Sequence, residues 1–221
     1  MAPQLDPMPP GKRAMDLALA LVLSVLLALP MLGIASVSWL RQGRPILYGS
    51  TRMRDPDTPF TLWKFRTMTG ASPVAPDVDD ASGGHKAARI TPWGTVLRRT
   101  RLDELPQLWN VLRGDVSFVG PRPPLPRYVA LRPDLYARVL AARPGITGLA
   151  SLAYAAHEER LLARCATPEA NEAVYLRACV PRKARLDLIY LRNRSAALDL
   201  RLIGWTAARF VPRCWRPGCR R

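Results

Sequence analysis

From Leu17 to Leu40 the chain runs 24 residues without a charge, LALALVLSVLLALPMLGIASVSWL. About 20 such residues cross the hydrocarbon core of a bilayer, so this stretch belongs in a membrane, and the rest of the chain must fold around where it enters and leaves. A cleaved signal peptide would use Lys12 and Arg13 as its basic head, but no small-x-small cleavage site follows and the apolar run continues past Pro30. Two arrangements remain, a straight span and a broken helix that dips in and returns. Pro30 lies near the middle of the run, where it removes a helical hydrogen bond and kinks or breaks the helix. Lys12 and Arg13 precede the run, and Arg41, Arg44, Arg52 and Arg54 follow it. Cytoplasmic flanks attract Lys and Arg, so basic residues at both ends favour both ends on the cytoplasmic side. The re-entrant arrangement satisfies this, with Pro30 as the membrane kink.

Charge narrows the partners. The 33 Lys and Arg against 17 Asp and Glu give a formal net charge of +16, which points to nucleic acid, anionic headgroups or a phosphorylated substrate. Residues 177–221 hold 12 of the basic residues, opposed only by Asp187 and Asp199. The four cysteines, Cys165, Cys179, Cys214 and Cys219, form no CxxC pair and lie at no zinc-finger spacing from His85 or His157, so they read as reduced thiols.

Beyond the apolar run, residues 45–68 read as a hairpin, PILYGSTRM and FTLWKFRTM, turning at Asp55-Pro56-Asp57. Residues 69–88 are Pro, Gly, Ser and Asp with little to bury, the composition of a mobile loop. Asp77, Asp79 and Asp80 there suit solvent better than a cation. Thr91-Pro92 caps and opens a short helix through about Arg99. A second helix is expected from near Asp103 to Gly114, with Leu105, Leu108, Trp109 and Leu112 as one apolar stripe. VSFVGPRPPLP gives a short strand and a proline-framed loop holding up Arg122, and RPGITGL gives an Arg-bearing glycine turn. Residues 157–180 and 182–194 read as helical. From Leu198 onward, Leu198, Leu202, Ile203, Trp205 and Phe210 share a side among arginines, the profile either of a basic helix lying in a membrane interface or of one packed on the domain core with its basic face in solvent. The fold class is therefore α+β, predominantly helical with a small sheet, with an N-terminal membrane-inserted broken helix and interfacial amphipathic helices.

Chemistry concentrates in residues 98–124, RRTRLDELPQLWNVLRGDVSFVGPRPP. Asp103 and Glu104 are adjacent at an expected helix N-terminus, with Arg98, Arg99 and Arg101 before them and Arg122 after. A helix N-terminus favours an anion, and arginines supply bidentate donors to phosphate oxygens. Two neighbouring carboxylates repel unless a cation lies between them, which suits Mg²⁺ bridging to a diphosphate.

These residues carry a resemblance. The chain resembles the bacterial sugar transferase family, the monotopic polyprenol-phosphate phosphoglycosyl transferases, from Lys12-Arg13-Ala14-Met15-Asp16 to about Leu202. The matching blocks are Lys64-Phe65-Arg66-Thr67-Met68, the run from Leu102 to Leu112, Val119-Gly120-Pro121-Arg122-Pro123, Arg143-Pro144-Gly145-Ile146-Thr147-Gly148 and Leu198-Asp199-Leu200. The resemblance implies transfer of a phospho-sugar from a nucleoside diphosphate sugar, UDP-sugar being expected, to polyprenol (undecaprenyl) phosphate. It implies Asp103 as nucleophile, Glu104 as a holder of Mg²⁺, and Lys64, Arg98, Arg143 and Asp187 at the active site. The basic three, with Arg122, are expected to grip phosphates, and the role of Asp187 stays open. By the same resemblance residues 1–44 are the membrane anchor and 45–221 a catalytic domain at the cytoplasmic face of the bacterial inner membrane, initiating glycoconjugate or exopolysaccharide assembly.

Two departures stand out. Leu29 precedes Pro30 where the family usually carries Ser, and after Gly148 the chain reads Leu149-Ala150-Ser151-Leu152-Ala153-Tyr154 with a longer insert to about Arg182, where sugar specificity is expected to be set. With no long N-terminal extension the chain resembles the minimal form. A membrane-tethered nucleic-acid binder would explain the basic C-terminal region but gives no reason for an Asp-Glu pair between arginines. An assembly factor that kept the fold and lost catalysis is disfavoured by the presence of both acids.

Overall fold

The computed structural model describes residues 8–70, 74–75, 89–165 and 167–210. Most of the expected loop, with Asp77, Asp79 and Asp80, lies outside the described residues, as do Cys214, Cys219 and the side chain of Phe210. The chain begins with two helices, α1 (Pro10–Leu26) and α2 (Ala28–Gln42), which meet at Leu27 with a bend of 60°. The break falls three residues before Pro30 because proline has no N–H for the Leu26 carbonyl, and its ring crowds that same carbonyl. Among the described residues no single helix is long and apolar enough to cross a membrane, while this bent pair is so by length and composition together. Its bend carries bare apolar surface: Val25, Leu29 and Leu32 are 77%, 80% and 64% exposed.

The ends of this bent pair are tied to the rest of the chain. Arg13 donates to the carbonyls of Val111 and Leu112 (2.7 and 2.8 Å), the final carbonyls of helix α4 (Gln107–Arg113). Buried Asp16 accepts from the Phe118 amide at 3.3 Å. At the other end Arg66 donates to the carbonyls of Gln42 and Gly43, capping α2. Trp93 donates its indole N–H to Ser38 at 2.9 Å.

Strands β1 (Leu47–Met53) and β2 (Pro59–Phe65) form the expected antiparallel hairpin, with Tyr48 opposite Lys64. Its turn is held where expected, the Asp55 carboxylate accepting from the Asp57 amide at 3.1 Å. A two-residue strand, β3 (Val74–Ala75), adds to β1 in parallel. Helix α3 (Pro92–Thr100) starts on the Thr91 cap, whose hydroxyl accepts from the Gly94 amide at 2.9 Å.

The following segment departs from expectation. Arg101 takes a left-handed conformation (φ 58°) that ends α3, a single 3₁₀ turn covers Leu102–Glu104, and α4 starts only at Gln107. Pro106 cannot donate back to Leu102, so the α-helical ladder begins after it. The buried face of α4 is Gln107, Leu108, Asn110 and Val111 rather than the expected stripe, and Trp109 is 57% exposed. Asn110 decides this orientation. It is fully buried, accepts from the Trp63 amide (3.0 Å) and donates to the Thr61 carbonyl (2.8 Å), completing the free edge of β2 as another strand would.

The segment read as a glycine turn is instead strand β5 (Gly145–Thr147), parallel to β4 (Ser117–Val119). A Cβ on Gly145 would lie 2.1 Å from the Gly120 amide nitrogen, so the two backbones approach as only glycines permit. Helices α5 (Pro126–Leu131), α6 (Pro133–Val139), α7 (Leu149–Ala153), α8 (Ala155–Leu162), α9 (Pro168–Val174) and α10 (Val180–Asn193) pack beyond this pair, with a π-helical turn, Tyr175–Cys179, leading into α10. The last helix, α11 (Ala196–Phe210), is packed against the domain core. It buries Asp199 and Leu202 completely and half-buries Leu198 and Ile203, because these residues complete the core that also holds Val119 and Tyr190. Trp205 and Leu200 remain exposed. The molecule is mostly helical with a small sheet, as expected from the sequence.

Candidate active site

The Lys64-to-Met68 block hangs the site between the sheet and the bent helix pair. Phe65 fills a core with Ile34 and Leu97, which fixes the strand end, and Lys64 then points to the opposite side. Arg66 caps α2 as above. Thr67 accepts from Arg98 Nε–H at 2.8 Å, and its backbone presses against Gly94, where a Cβ would meet the Thr67 carbonyl at 2.1 Å. Hairpin, α3 and the end of α2 therefore hold one another in fixed positions around a cavity of about 360 Å³.

That cavity is lined by Lys64, Arg98, Arg101, Asp103, Glu104 and Arg122, with Tyr48 and Ser50 on the neighbouring strand. Five of the expected site residues thus come together. Glu104 is their hub: its Oε1 lies 3.6 Å from Lys64 Nζ, 3.4 Å from Arg101 Nη1 and 3.5 Å from Arg122 Nη2. Burial opposes its ionisation, but Arg122, Lys64 and Arg101 outweigh it and hold the carboxyl at about 2. Burial draws the Lys64 ammonium down to about 8, with Glu104 pulling the other way. Asp103 differs from its neighbour. It is 7% exposed, its Oδ1 has no hydrogen-bond partner, and burial raises its pKa above the ordinary carboxylate value against the pull of Lys64. Adjacent in sequence, one carboxylate is neutralised by cations and the other is kept under-solvated and unsatisfied.

The source of this polarisation is not a helix dipole, as expected from the sequence, since Asp103 lies in a lone 3₁₀ turn ahead of a short helix. Side-chain cations supply the positive field. Among the described residues no three His, Cys, Asp or Glu side chains gather as a metal cage. Asp103 and Glu104 fit the habit of Mg²⁺, which takes one or two carboxylates and completes its shell with substrate phosphates and water.

Two expected residues lie elsewhere. Arg143 is not among those lining this cavity: β5 pairs with β4 directly after it, and its side chain enters a small space with Met8, Lys12 and Tyr190 beneath α1. Asp187, on α10, lines a second cavity of about 250 Å³ that shares Arg122 with the first. Burial pushes Asp187 up to about 7, opposed by Lys183 and a hydrogen bond from the Ala150 backbone. Its folded pKa therefore exceeds the ordinary 3.8, so the ionised form is penalised in the folded state and stability falls as pH rises from about 4 through about 7. Asp187→Asn removes that penalty. The variant is expected to gain on the order of 4 kcal/mol more at pH 8 than at pH 4, read from melting in detergent, and an equal gain at both pH values would refute the assignment.

Sequence reading missed Tyr48, Ser50 and Thr67 at the first cavity. Strand register would have found the first two, since Tyr48 opposes Lys64 and Ser50 follows two residues along the same face.

A buried carboxylate turned to a cavity ringed by cations has the make-up of a site for anionic groups. The model of the bacterial sugar transferase family matches residues 9–213. The chain is 34% identical over 202 residues to the uncharacterized sugar transferase EpsL of Bacillus subtilis, covering 90% of this chain and 87% of that one. It is 42% identical over 145 residues to the UDP-glucose:undecaprenyl-phosphate glucose-1-phosphate transferase of Caulobacter vibrioides, covering 64% of this chain and 53% of that protein. Against the Escherichia coli protein of the same name it is 29% identical over 199 residues, 87% of this chain but 38% of that one. The chain belongs to the bacterial sugar transferase family, and the activity-named relatives in Caulobacter and Escherichia are considerably longer than the part it matches.

Proposed function

We propose that this chain moves a phospho-sugar from a UDP-sugar to undecaprenyl phosphate, leaving the polyprenyl diphosphate sugar and UMP, in the initiation of exopolysaccharide or another glycoconjugate. The observation that carries the reading is Asp103: buried, unpartnered at Oδ1, and facing a cavity with four flanking cations. The names of the Caulobacter and Escherichia relatives supply the two substrate classes.

The chemistry follows from the residues. Lys64, Arg98 and Arg122 hold the diphosphate by charge-assisted hydrogen bonds and fix the phosphorus bearing the sugar before Asp103. An Asp103 oxygen attacks that phosphorus, and the bond to the bridging oxygen breaks. UMP departs with the electron pair, leaving a phospho-sugar aspartate. A polyprenol phosphate oxygen then attacks the same phosphorus, the bond to Asp103 breaks, and the carboxylate is restored. Mg²⁺, held by Glu104, would neutralise charge developing on the phosphoryl oxygens. Two displacements suit one substrate that arrives from water and another that arrives from lipid, since the two never need to meet.

The bent helix pair with its exposed leucines serves as the membrane insert, placing the cavity at the cytoplasmic face of the inner membrane, where Gln42 and Arg66 link insert to site. The test is a panel of UDP-sugars assayed for UMP release. Release is expected with at least one sugar, and only when both undecaprenyl phosphate and Mg²⁺ are supplied for turnover. UMP release from none of them would overturn the proposal.

A further inference from the structure

The second cavity is absorbed by none of the steps above. It opens beside Arg122, which also contacts Glu104 at 3.5 Å, so the two cavities meet at one guanidinium. On β1, Tyr48 and Ser50 face the first cavity and Arg52 the second. Side chains two apart share a face and successive pairs step about 6.6 Å along the strand, so the second cavity lies some 13 Å farther from the end of α2 than the first begins. A group bound there points away from the membrane insert.

Its lining is unlike the first. Asp187 is 7% exposed with Oδ1 unpartnered, and Glu158 from α8 receives Lys183 Nζ on both oxygens at 3.1 Å. Tyr175 and Tyr128 close a wall, their rings 5.2 Å apart, with the Lys183 ammonium 5.2 Å from the Tyr175 ring centre. Glu158 and Asp187 stand among Arg52, Arg122 and Lys183, and such a mixture suits a neutral polyhydroxylated ring: acceptors and donors for its hydroxyls and tyrosine faces for its C–H surface. The volume of about 250 Å³ falls below the drug-sized pocket range and suits a single sugar ring with its water.

We infer that this second cavity binds the glycosyl group of the donor, with Glu158, Lys183, Asp187 and Tyr175 determining which sugar is accepted while Arg122 holds the phosphate at its mouth. The inference rests on the phosphoglycosyl transfer reading. Two of its determinants, Glu158 and Tyr175, fall in the segment from Leu149 to Arg182, which makes that segment a wall of the sugar site.

The full-length protein in detergent decides it, with UMP release measured for a panel of UDP-sugars and UMP inhibition measured alongside. Glu158→Gln, which removes a charged acceptor, and Tyr175→Leu, which removes the aromatic face, are each expected to raise KM by about tenfold for the preferred UDP-sugar and to alter the ranking of the panel. UMP has no glycosyl group, so its inhibition constant is expected to stay within about twofold of wild type, a control that also reports a folded site. Unchanged ranking in both variants, or UMP inhibition weakened in parallel with KM, would overturn the inference and leave phosphoglycosyl transfer standing. Wild-type protein inactive with every UDP-sugar would instead overturn the transfer reading and this inference together.

Discussion

Asp103→Asn is expected to stop turnover, with UMP release falling about 10⁴-fold or more and no phospho-sugar adduct detectable by mass spectrometry of the intact protein. The substitution keeps side-chain shape and removes the nucleophilic oxygen pair. Asp103 is already short of partners, its Oδ1 making no hydrogen bond, so an amide there breaks no existing contact of that atom and the fold is expected to survive. Stability is expected to rise slightly, because burial penalises the carboxylate that the amide replaces. A catalyst that dies while the protein grows no less stable is the signature of a site held under strain for function. Glu104→Gln has the opposite profile. It frees Lys64, Arg101 and Arg122 from a shared partner, so stability drops along with rate. Turnover in Asp103→Asn within tenfold of wild type would refute a covalent aspartate and leave a direct displacement between the two substrates.

The contrast between these neighbours was only half legible in the sequence. Asp103, Glu104, Lys64, Arg98 and Arg122 stood out by type and density, and the structure brings all five to one cavity. Their division of labour was not visible, because it depends on which acid the cations reach. Arg101, left-handed at φ 58°, precedes the 3₁₀ turn in which Glu104 pairs directly with Lys64, Arg101 and Arg122 while Asp103 Oδ1 stays without a hydrogen bond, and no periodicity announces such a residue. The apolar stripe of α4 failed for a related reason. Asn110, polar by composition, is more deeply buried than Trp109, because the open edge of β2 offers it backbone partners. Residue patterns record average solvent preference, whereas burial here was decided by a single hydrogen-bonding vacancy in the sheet. The hairpin at 47–65 and the Thr91 cap were legible, since both are set by residues close in sequence.

The basic pair before the apolar run shows the same limit and yields the largest stability effect. Lys12 and Arg13 read as topology signals, yet both are engaged inside the fold. Lys12 Nζ lies 2.5 Å from Asp199 Oδ2, and the Tyr190 hydroxyl donates to Asp199 Oδ1 at 2.6 Å, joining α1, α10 and α11 at one carboxylate that is 1% exposed. Asp199→Ala removes the acceptor while an ammonium only 13% exposed remains, and an uncompensated buried charge costs about 3–5 kcal/mol. For a chain of this size that corresponds to a fall of roughly 10 °C in melting temperature. Asp199→Asn is expected to lose less, since its amide oxygen still accepts from Tyr190 at the cost of the ion pair. The decisive comparison is the double variant Lys12→Met with Asp199→Leu, which replaces the pair with apolar volume and is expected to recover most of the loss. Recovery separates the penalty of a stranded charge from the value of the contact itself. If Asp199→Ala melts within about 2 °C of wild type, less than about 1 kcal/mol, the latch between α1 and the C-terminal helices is not where the structure puts it. If the single variant falls and the double does not recover, α1 is held in place by the ion pair itself, and packing around Ala20 and Leu108 contributes less than their burial suggests.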